Sequence, residues 1–597
     1  MDPAAQYSTR LRARKAIYER HESLHRTIGN VRLAVALAAV AVAFFVFGRP
    51  TISPWWLVAP VAIFVVLAIW HSKVIGTRDW AARAARFYEK GIERLENRWM
   101  GNGEAGESYH EPDHVYADDL DLFGHGSLFE LLCTARTQAG EVTLANWLKA
   151  PASTEDVLAR QRAVAELRDK VDLRESLASF AEVVRSNVKP DALAIWGEKP
   201  RVQFPRGTRL AVILIVAAVL LTFSLWMAGV LKRTPFFIAI LVESSLGLAL
   251  RTKVNAIVEA ASQPARDLDL FADVVRCIEA QKFDAPLLAR VRSQLETRGE
   301  PASRQIRRLH VLISRLDDAK NEFFAPIAAA VMWETQFAMA IETWRSRSGS
   351  SIRRWLAAAG EFEALCSLAA YSFEHPADPF PVLAADERRR TGWFDAQGLG
   401  HPLLPESTFV RNDIRLGGEL RIIIVSGSNM SGKSTLLRSI GLNTVLAWAG
   451  APVRAVRLEL SPLQVGASLR TVDSLLDGRS RFYAEITRLR QIMDLAGKER
   501  TLLFLVDEML SGTNSHDRRI GAEALVRTLI DRGAIGLITT HDLALAHIAD
   551  ALGPAAVNVH FSDIIANGQL RFDYRLRPGV VEHSNALELM RSVGLNV

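Results

Sequence analysis

The sequence predicts an α/β domain near the carboxyl end of the chain, an all-α region before it, and two helical hairpins that are apolar enough to cross a membrane. A β-branched run at 421–425 and two further strand-like runs at 501–506 and 535–540 each lead into polar residues, as buried parallel strands do. Four longer runs carry almost no charge, and apolar residues elsewhere recur at helical spacing. A chain of 597 residues with 49% hydrophobic content has room for several domains with their own cores.

The first β-branched run leads into the loop GSNMSGKST. Gly427 and Gly432 bracket four residues, and Lys433 and Ser434 follow, which is the spacing of a phosphate-binding loop. In such a loop the backbone N–H groups turn inward above a helix N-terminus, the lysine reaches the terminal phosphates, and the serine hydroxyl binds Mg²⁺. The residues predicted to bind the nucleotide here are Gly427, Ser428, Asn429, Met430, Ser431, Gly432, Lys433, Ser434 and Thr435.

Polar residues that follow the runs at 501–506 and 535–540 complete the predicted site. Asp507 and Glu508 end the second run, where one carboxylate can hold Mg²⁺ and its neighbour can polarise an attacking water. His541 ends the third run and is placed to sense a γ-phosphate, although a lone histidine is more often structural. The predicted catalytic residues are Lys433, Glu508 and His541, and the predicted metal ligands are Ser434 and Asp507.

Three segments resemble the ATPase domain of MutS proteins, the mismatch-repair relatives of ABC ATPases: GSNMSGKST at 427–435, VDEMLSGTNSHD at 506–517 and TTHD at 539–542. The resemblance extends more weakly upstream to about Asp118. It implies an α/β P-loop (ABC-like) ATPase domain, preceded by an all-α MutS core or lever domain, in a chain that also carries two transmembrane helical hairpins. The implied cofactors are ATP and Mg²⁺.

The resemblance also implies a homodimer through the ATPase domain, in which each nucleotide site is completed by the partner. The residues that would face the partner's nucleotide are Ser511, Gly512, Thr513 and Asn514. The chain departs from the common family pattern at this loop, since Leu510, Asn514 and Arg518 replace residues that are usually Gly, Ser and Gly. Arg481 stands where Thr is common, and the two arginines are either part of the partner contact or simply solvated.

Two membrane hairpins are predicted at 33–70 and 204–252. The first follows a basic segment and contains tryptophans where interfacial aromatics belong. A signal peptide is excluded because more than 30 residues precede the first apolar run and a second run follows at once. The second hairpin contains Glu243, which we expect to pack against its neighbour or to lie near an interface. The alternative is that these runs are core helices of a soluble bundle.

Basic residues flank the second hairpin unevenly. Lys232 and Arg233 lie in the connecting turn, whereas the opposite side carries Arg201, Arg206, Arg209, Arg251 and Lys253. The positive-inside bias therefore predicts a multi-pass protein of the cytoplasmic (inner) membrane, with the termini and the ATPase domain in the cytoplasm. Binding of ATP requires the same side.

The predicted domain order is a basic segment at 1–32, the first hairpin at 33–70, a helical linker at 71–117, the core domain at 118–203 and 253–384 around the second hairpin at 204–252, and the ATPase domain at 385–597. Ser153, after the helix-breaking Pro151, is predicted to begin a helix. Phe87-Tyr88-Glu89 superficially matches the family's Phe-x-Glu wedge. We expect a coincidence, because the wedge belongs to a separate domain for which no room exists before Asp118.

Composition leaves the partner open. The net charge of +6 is modest, and the three cysteines, Cys133, Cys277 and Cys366, have no metal-ligand spacing. The first hypothesis is a membrane-anchored MutS-type ATPase that binds mismatched or branched DNA through a basic helix carrying Arg304, Arg307 and Arg308, although such arginines are also typical of a solvated face. The alternative is an ATP-driven machine that remodels or regulates a membrane protein without a DNA substrate.

Overall fold

A computed structural model describes residues 2–48, 53–185, 190–319, 324–384, 391–428, 430–470, 481–510, 513–541, 546–566 and 569–581. The chain forms two compact units. Unit 1 comprises Met1–Thr134, Val142–Lys170 and Leu365–Val597, and unit 2 comprises Ala135–Glu141 and Val171–Ala364. The first part of the predicted core domain, 118–203, is therefore divided between the two units.

Unit 1 begins with two long antiparallel helices, α1 (Pro3–Gly48) and α2 (Val58–Leu95). Tyr7 of α1 lies against Tyr88 of α2 with ring centroids 5.6 Å apart, and His71 Nε2 lies 2.8 Å from His25 Nδ1. The predicted basic segment and the first apolar run form one continuous helix of 46 residues, rich in helix-favouring Ala and Arg. In the predicted linker at 71–117, the α-helix ends at Leu95, and a short 3-10 helix follows at Glu107–Tyr109.

A buried ion pair fastens this helical pair to the last residue of a later helix. Arg94 donates hydrogen bonds to both carboxylate oxygens of Glu374, at 2.7 and 2.5 Å, and Tyr7 Oη donates to the same carboxylate at 3.2 Å. Phe87 and Tyr88 are buried beside Tyr7. The two aromatic residues of the Phe-Tyr-Glu triplet are thus packed inside unit 1, and their rings are not exposed for stacking on a base.

The segment that follows α2 is ordered against the nucleotide-binding region. The backbone N–H of Ala467 donates to Val115 O at 2.9 Å, and the buried Asp119 carboxylate accepts from the N–H groups of Leu469 and Arg470 at 2.6 and 2.9 Å. Helices α3 (Leu128–Leu132), α4 (Gln138–Lys149) and α5 (Thr154–Arg168) come next. Ser153 caps α5 as predicted, because its side chain accepts from the N–H of Asp156.

Unit 2 is mainly helical in its described residues. Its elements are α6 (Val171–Arg185), α7 (Pro190–Glu198), α8 (Thr208–Met227), α9 (Arg233–Glu279), α10 (Pro286–Gln294), β1 (Glu296–Thr297), β2 (Glu300–Pro301), α11 (Ala302–Asp318), α12 (Ala325–Ala330), α13 (Trp333–Ser348) and most of α14 (Ile352–Glu374). The second predicted hairpin does not end near residue 252, because α9 continues it for a total of 47 residues, with Pro264 inside the helix.

Within the described ranges, four helical stretches are long and apolar enough to cross a membrane, judged by length and composition. They are Pro3–Gly48, Trp55–Leu95, Thr208–Met227 and Arg233–Glu279. Large apolar side chains on them point outward, including Leu214, which is 59% exposed, and Leu241, which is 67% exposed. A core helix of a soluble bundle would bury such residues.

Glu363 is a buried carboxylate in unit 2. Its Oε1 accepts from the backbone N–H groups of Arg136 and Thr137 at 3.1 and 3.4 Å, and its Oε2 accepts from the Thr137 hydroxyl. Burial raises the pKa of Glu363 to about 7 from an ordinary 4.5, although these hydrogen bonds oppose the shift. The native state therefore holds a proton that the unfolded chain has released at intermediate pH.

This shift predicts a pH-dependent stability. The contribution of Glu363 is fully present below its unfolded pKa and is lost as the pH rises through about 7. We expect the unfolding free energy of the wild type to fall by about 3 kcal/mol relative to Glu363→Gln between pH 4 and pH 8. Denaturant titrations followed by tryptophan fluorescence at both pH values measure it. An equal difference between the two proteins at pH 4 and pH 8 would contradict the prediction.

The remainder of unit 1 is an α/β region with two sheets. Six described strands pair in the order β12-β11-β6-β10-β9-β8, all parallel except β12, and four pair in the order β3-β7-β4-β5. The strands are β3 (Val382–Leu383), β4 (Trp393–Leu399), β5 (Asn412–Gly417), β6 (Ile422–Ser426), β7 (Arg457–Leu460), β8 (Leu463–Ser468), β9 (Thr501–Val506), β10 (Ile535–Thr540), β11 (Ala556–Ala566) and β12 (Gln569–Pro578). The described helices are α15 (Lys433–Ala449), α16 (Arg481–Met493), α17 (Ser515–Asp531) and α18 (Ile548–Leu552).

The three predicted strands, β6, β9 and β10, occupy the centre of the six-stranded sheet. β6 and β10 are buried along their whole length, and β9 is buried except at its first residue, as their uninterrupted apolar sequences predict. β3 pairs with β7, so the region begins before the predicted boundary at Ala385, a residue outside the described ranges. β7, the strand that pairs with β3, lies 74 residues or more further along the chain, so local sequence does not reveal this pairing.

Candidate nucleotide-binding site

The three predicted motifs meet at one edge of the six-stranded sheet. β10 pairs in parallel with β6 on one side and with β9 on the other, with Thr540 opposite Ser426 and Ile538 opposite Val506. Because the carboxyl ends of parallel strands share an edge, the residues that follow the strands lie close together. This edge is where ligands bind in open α/β sheets.

The backbone of the glycine-bracketed loop requires both glycines. Gly427 has φ of 155°, and a Cβ atom there would lie 2.7 Å from Ser431 Oγ. Gly432 has φ of 102° and immediately precedes α15. The hydroxyl oxygens of Ser428 and Ser431 are buried and make no hydrogen bond with the described residues. A loop with unsatisfied donors above a helix N-terminus is suited to an anion such as phosphate.

Lys433 is 5% exposed and lies inside this loop. Its Nζ donates to the carbonyl oxygens of Gly427 and Ser428 at 2.8 and 2.9 Å. Burial lowers the pKa of the Lys433 ammonium, and the carboxylates of Glu508 and Asp507 act in the opposite direction. The ammonium is therefore held at the centre of the loop, where it can neutralise phosphate charge.

Ser434 and Asp507, the predicted metal ligands, are in contact. The Ser434 hydroxyl donates to Asp507 Oδ2, and the Thr539 hydroxyl donates to Asp507 Oδ1. Both Ser434 and Asp507 present hard oxygen atoms, which suit Mg²⁺ bound mainly by phosphate and water. The described residues contain no cluster of three or more His, Cys, Asp and Glu that could hold a metal by itself, so this pair fits Mg²⁺ delivered with a nucleotide.

Thr539 is a functional residue that sequence reasoning missed. Besides orienting Asp507, its Oγ1 accepts from the backbone N–H of Glu508 at 3.1 Å. Glu508 has φ of 51°, a left-handed conformation that costs a non-glycine residue about 1–3 kcal/mol. The Thr539 hydroxyl thus helps to hold the strained backbone of Glu508 in place. The TTHD run contained this threonine, but only strand pairing shows which carboxylate it contacts.

His541 is joined to Glu508. Its Nδ1 lies 3.3 Å from Glu508 Oε1, and the histidine and glutamate side chains are 52% and 32% exposed. The structure therefore places all three predicted catalytic residues, Lys433, Glu508 and His541, at the same edge of the sheet. His541 can orient Glu508 or contact a γ-phosphate from this position.

A cavity of about 410 Å³ opens beside the loop. Met430, Gly432, Lys433, Ser434, Thr435, Asp507 and Glu508 form its phosphate-side wall. The other wall was not predicted and includes His401, Leu404, Phe409, Val410, Asn412, Phe561 and Tyr574. Aromatic and aliphatic side chains next to a phosphate loop are suited to a nucleoside.

His401 in this wall has a fixed protonation state. Burial lowers the pKa of His401 to about 4, and Arg438 adds to the effect, so the ring is neutral at pH 7. Its Nδ1 accepts from the N–H of Leu403 at 3.2 Å. The proton must therefore be on Nε2, which makes that atom a hydrogen-bond donor. The spacing of His401 from the phosphate loop follows no motif, so the sequence alone did not predict that His401 lines this cavity.

The predicted partner-facing loop is separate from the cavity. Of its residues, Thr513 and Asn514 do not line the cavity, and Asn514 caps α17 by accepting from the N–H of Asp517 at 2.9 Å. Ser511 and Gly512 lie outside the described residues, as does Asn429 of the phosphate loop. The structure therefore brings none of the described partner-facing residues to the nucleotide of their own chain.

The family departures at this loop have a structural explanation. Leu510 has φ of 57°, a backbone region that favours the glycine usual at this position. Arg518 holds the loop, because its Nε donates to Leu510 O at 3.0 Å and its Nη2 donates to Thr513 O at 3.1 Å. Arg518 is thus bound to the loop rather than simply solvated, which was one of the two interpretations left open.

Residues 423–596 match the family model of MutS domain V. This segment of the chain is therefore assigned to MutS domain V. MutS domain V proteins are ATPases, and the matched residues contain the phosphate loop, Asp507, Glu508 and His541. The ATPase-type α/β fold predicted from the sequence is thereby confirmed.

Individual relatives support the same assignment. The chain is 33% identical over 261 residues to "DNA mismatch repair protein MutS 2" of Halobacterium salinarum, over 42% of this chain and 29% of the relative. It is 33% identical over 203 residues to "Endonuclease MutS2" of Thermus thermophilus, over 33% of this chain and 25% of the relative. It is 29% identical over 265 residues to "DNA mismatch repair protein MSH6" of Arabidopsis thaliana, over 41% of this chain and 19% of the relative. The chain thus spans less than a third of each of these MutS relatives.

Proposed function

We propose that the protein is a membrane-anchored MutS-family ATPase that hydrolyses ATP with Mg²⁺ and binds DNA, with mismatched or branched DNA as the substrate class. The observation that carries the ATPase proposal is the convergence of Lys433, Ser434, Asp507 and Glu508 around one cavity. The DNA part rests on the names of the mismatch-repair relatives and on a basic helix described below.

The geometry supports in-line attack of water on the γ-phosphate. Lys433 would exchange its contacts with loop carbonyls for the phosphate oxygens, and the N–H groups of the loop would stabilise the charge that develops on them. Ser434 and Asp507 would hold Mg²⁺, which supplies charge neutralisation on the phosphates. Glu508 would orient the water and accept its proton, and His541 would fix the Glu508 carboxylate.

The active form in this proposal is a homodimer. Thr513 and Asn514 do not line the cavity of their own chain, although they follow the Asp507-Glu508 strand end closely in sequence. A loop in this place is free to contact the nucleotide of a partner. ATP would close the two domains on each other and hydrolysis would reopen them, which would move attached helices as rigid bodies.

The membrane part of the proposal rests on the four apolar helices and their exposed side chains. Apolar residues exposed in a row along a helix are expected to face lipid. The excess of Arg and Lys on one side of the second hairpin favours a cytoplasmic position for the ATPase domain and the termini. The proposed location is therefore the cytoplasmic membrane, with several passes through it.

Helix α11 is the candidate DNA surface. Its buried face carries Ile306, Leu309 and Ile313, so Arg304, Arg307 and Arg308 are exposed together on the other face, at i, i+3 and i+4. Arg308 pairs with Glu300 at 2.7 Å, whereas Arg304 and Arg307 have no ion pair within the described residues. Arg304 lies about 22 Å along the helix axis from Ala319, which places it well away from the helix end beside the second hairpin.

We expect the binding of duplex and branched DNA to weaken steeply with salt. Each phosphate contact contributes about 0.9 to the slope of log K against log salt concentration. Replacing Arg304, Arg307 and Arg308 by alanine should lower that slope by about 2 to 3, as measured by fluorescence anisotropy between 50 and 200 mM salt. The matched control is Arg353→Ala, an exposed arginine of unit 2 that pairs with Glu198 at 2.8 Å. An unchanged slope in the triple variant would place any DNA contact elsewhere.

A second candidate function is an ATP-driven machine that acts on a membrane protein without DNA. It is favoured by the presence of one long hairpin in each unit and by the bond of the first hairpin to Glu374. The deciding experiment is ATP hydrolysis by the full-length protein in detergent, with homoduplex, mismatched and branched DNA. Stimulation by one class of DNA supports the first function. A rate that no DNA changes, together with absent DNA binding at low salt, favours the second.

A further inference from the structure

A second cavity, of about 660 Å³, lies in unit 2 between α9 and the chain from α12 to the start of α13. It has the size of a small-molecule site. One wall is a single face of α9, in which Glu243, Gly247 and Arg251 follow one another at intervals of four residues. The opposite wall is apolar in α12 and becomes polar at Glu334. The cavity is therefore amphipathic along its length.

Glu243 is the most unusual residue of this cavity. Only 6% of the residue is exposed, and no described residue donates a hydrogen bond to its Oε1. A carboxylate removed from water is strongly disfavoured unless a partner compensates its charge. Ionisable residues within apolar helices are rare and usually functional for this reason. The missing partner therefore points to a ligand in the cavity.

The other wall of the cavity holds an aromatic ring in a fixed position. Met332 adopts φ of 46°, which bends the chain between α12 and α13, and its Cε would lie 3.8 Å from a Cβ atom on Gly247. Trp333 Nε1 donates to Arg315 O at 2.6 Å, which anchors the indole at the cavity wall. The ring also packs against Phe324 and Phe337, with ring centroids 5.1 and 4.7 Å apart, and it lines the same cavity as Glu243 and Glu334. An indole and carboxylates around one cavity are the combination that recognises organic cations.

We propose that this cavity binds an amphiphilic organic cation, whose positive group rests against Glu243 and the ring of Trp333 while its apolar part contacts α12. A metal ion is a poorer fit, because the described residues offer no group of three His, Cys, Asp or Glu side chains. The charges that line the cavity favour a cation, since Glu243 and Glu334 outnumber Arg251. This site is independent of the nucleotide-binding cavity.

The test compares two ions of the same shape and opposite charge on the full-length protein in detergent. Tetraphenylphosphonium should bind the wild type at least 10-fold more tightly than Glu243→Gln, whereas tetraphenylborate should bind neither protein specifically. Glu259→Gln is the matched control, because Glu259 is an exposed glutamate on the same helix that does not line the cavity. Equal affinity of the wild type and Glu243→Gln for the phosphonium, or equal binding of both ions by the wild type, would overturn the proposal.

A second variant tests the cavity itself. Gly247→Leu keeps Glu243 but places a branched side chain towards Met332, in space that the ligand would occupy. We expect it to weaken tetraphenylphosphonium binding by at least 10-fold. Binding as tight as in the wild type would show that the cation binds elsewhere and would overturn the proposal even if Glu243→Gln failed to fold.

Discussion

Glu508→Gln is expected to lower the rate of ATP hydrolysis by about 100- to 10,000-fold while leaving ATP binding intact. The amide has the shape of the carboxylate but cannot accept a proton from the attacking water. The hydrogen bonds of Lys433 to the loop carbonyls and of Ser434 to Asp507 do not involve Glu508. Steady-state phosphate release and binding of a fluorescent ATP analogue measure the two effects separately.

The control for this variant is Glu523→Gln on α17. Glu523 is a half-buried glutamate that pairs with Arg527 at 2.9 Å and does not line the nucleotide cavity. The Glu523→Gln variant should hydrolyse ATP at the wild-type rate. If Glu508→Gln retained hydrolysis within about threefold of this control, Glu508 could not be the residue that activates water, and His541 would be the next side chain to replace.

Arg94→Met is expected to detach the first hairpin from the end of α14. The side chains of Arg94 and Glu374 are 10% and 1% exposed. Loss of the guanidinium therefore leaves a buried carboxylate that keeps the hydrogen bond from Tyr7 Oη. Removal of one member of a buried pair costs about 3–5 kcal/mol. Hydrogen exchange of the backbone amides around Tyr7 should accelerate by about 100-fold or more, as read by mass spectrometry.

Two further variants separate this effect from a general loss of charge. Lys15→Met removes an exposed ion pair between the same two helices, in which Lys15 lies 2.7 Å from Glu89, and should cost less than about 1 kcal/mol. The double variant Arg94→Met with Glu374→Met removes both buried charges and should restore much of the protection. Equal exchange in Arg94→Met and Lys15→Met would mean that the buried pair does not hold the hairpin in place.

Sequence reasoning succeeded best where the chemistry depends on short spacings. The interval between Gly427 and Lys433, and the position of Asp507 and Glu508 directly after an apolar strand, were enough to predict a shared site. The ends of the long helices were predicted less well. α1 and α9 continue far beyond the apolar runs, because a helix does not end where its hydrophobicity ends unless a breaking residue or a cap stops it.

Sequence patterns were sufficient to predict the phosphate loop, the strand-end carboxylates, the four apolar helices and the resemblance to MutS proteins. These features rest on residues that are neighbours in the chain, so their spacing carries the information. The folded structure was needed to show that Thr539 contacts Asp507, that His401 and Phe409 line the nucleotide cavity, and that Arg94 pairs with Glu374. Arg94 and Glu374 are 280 residues apart. Such contacts are set by the packing of whole helices and sheets, which no local pattern records.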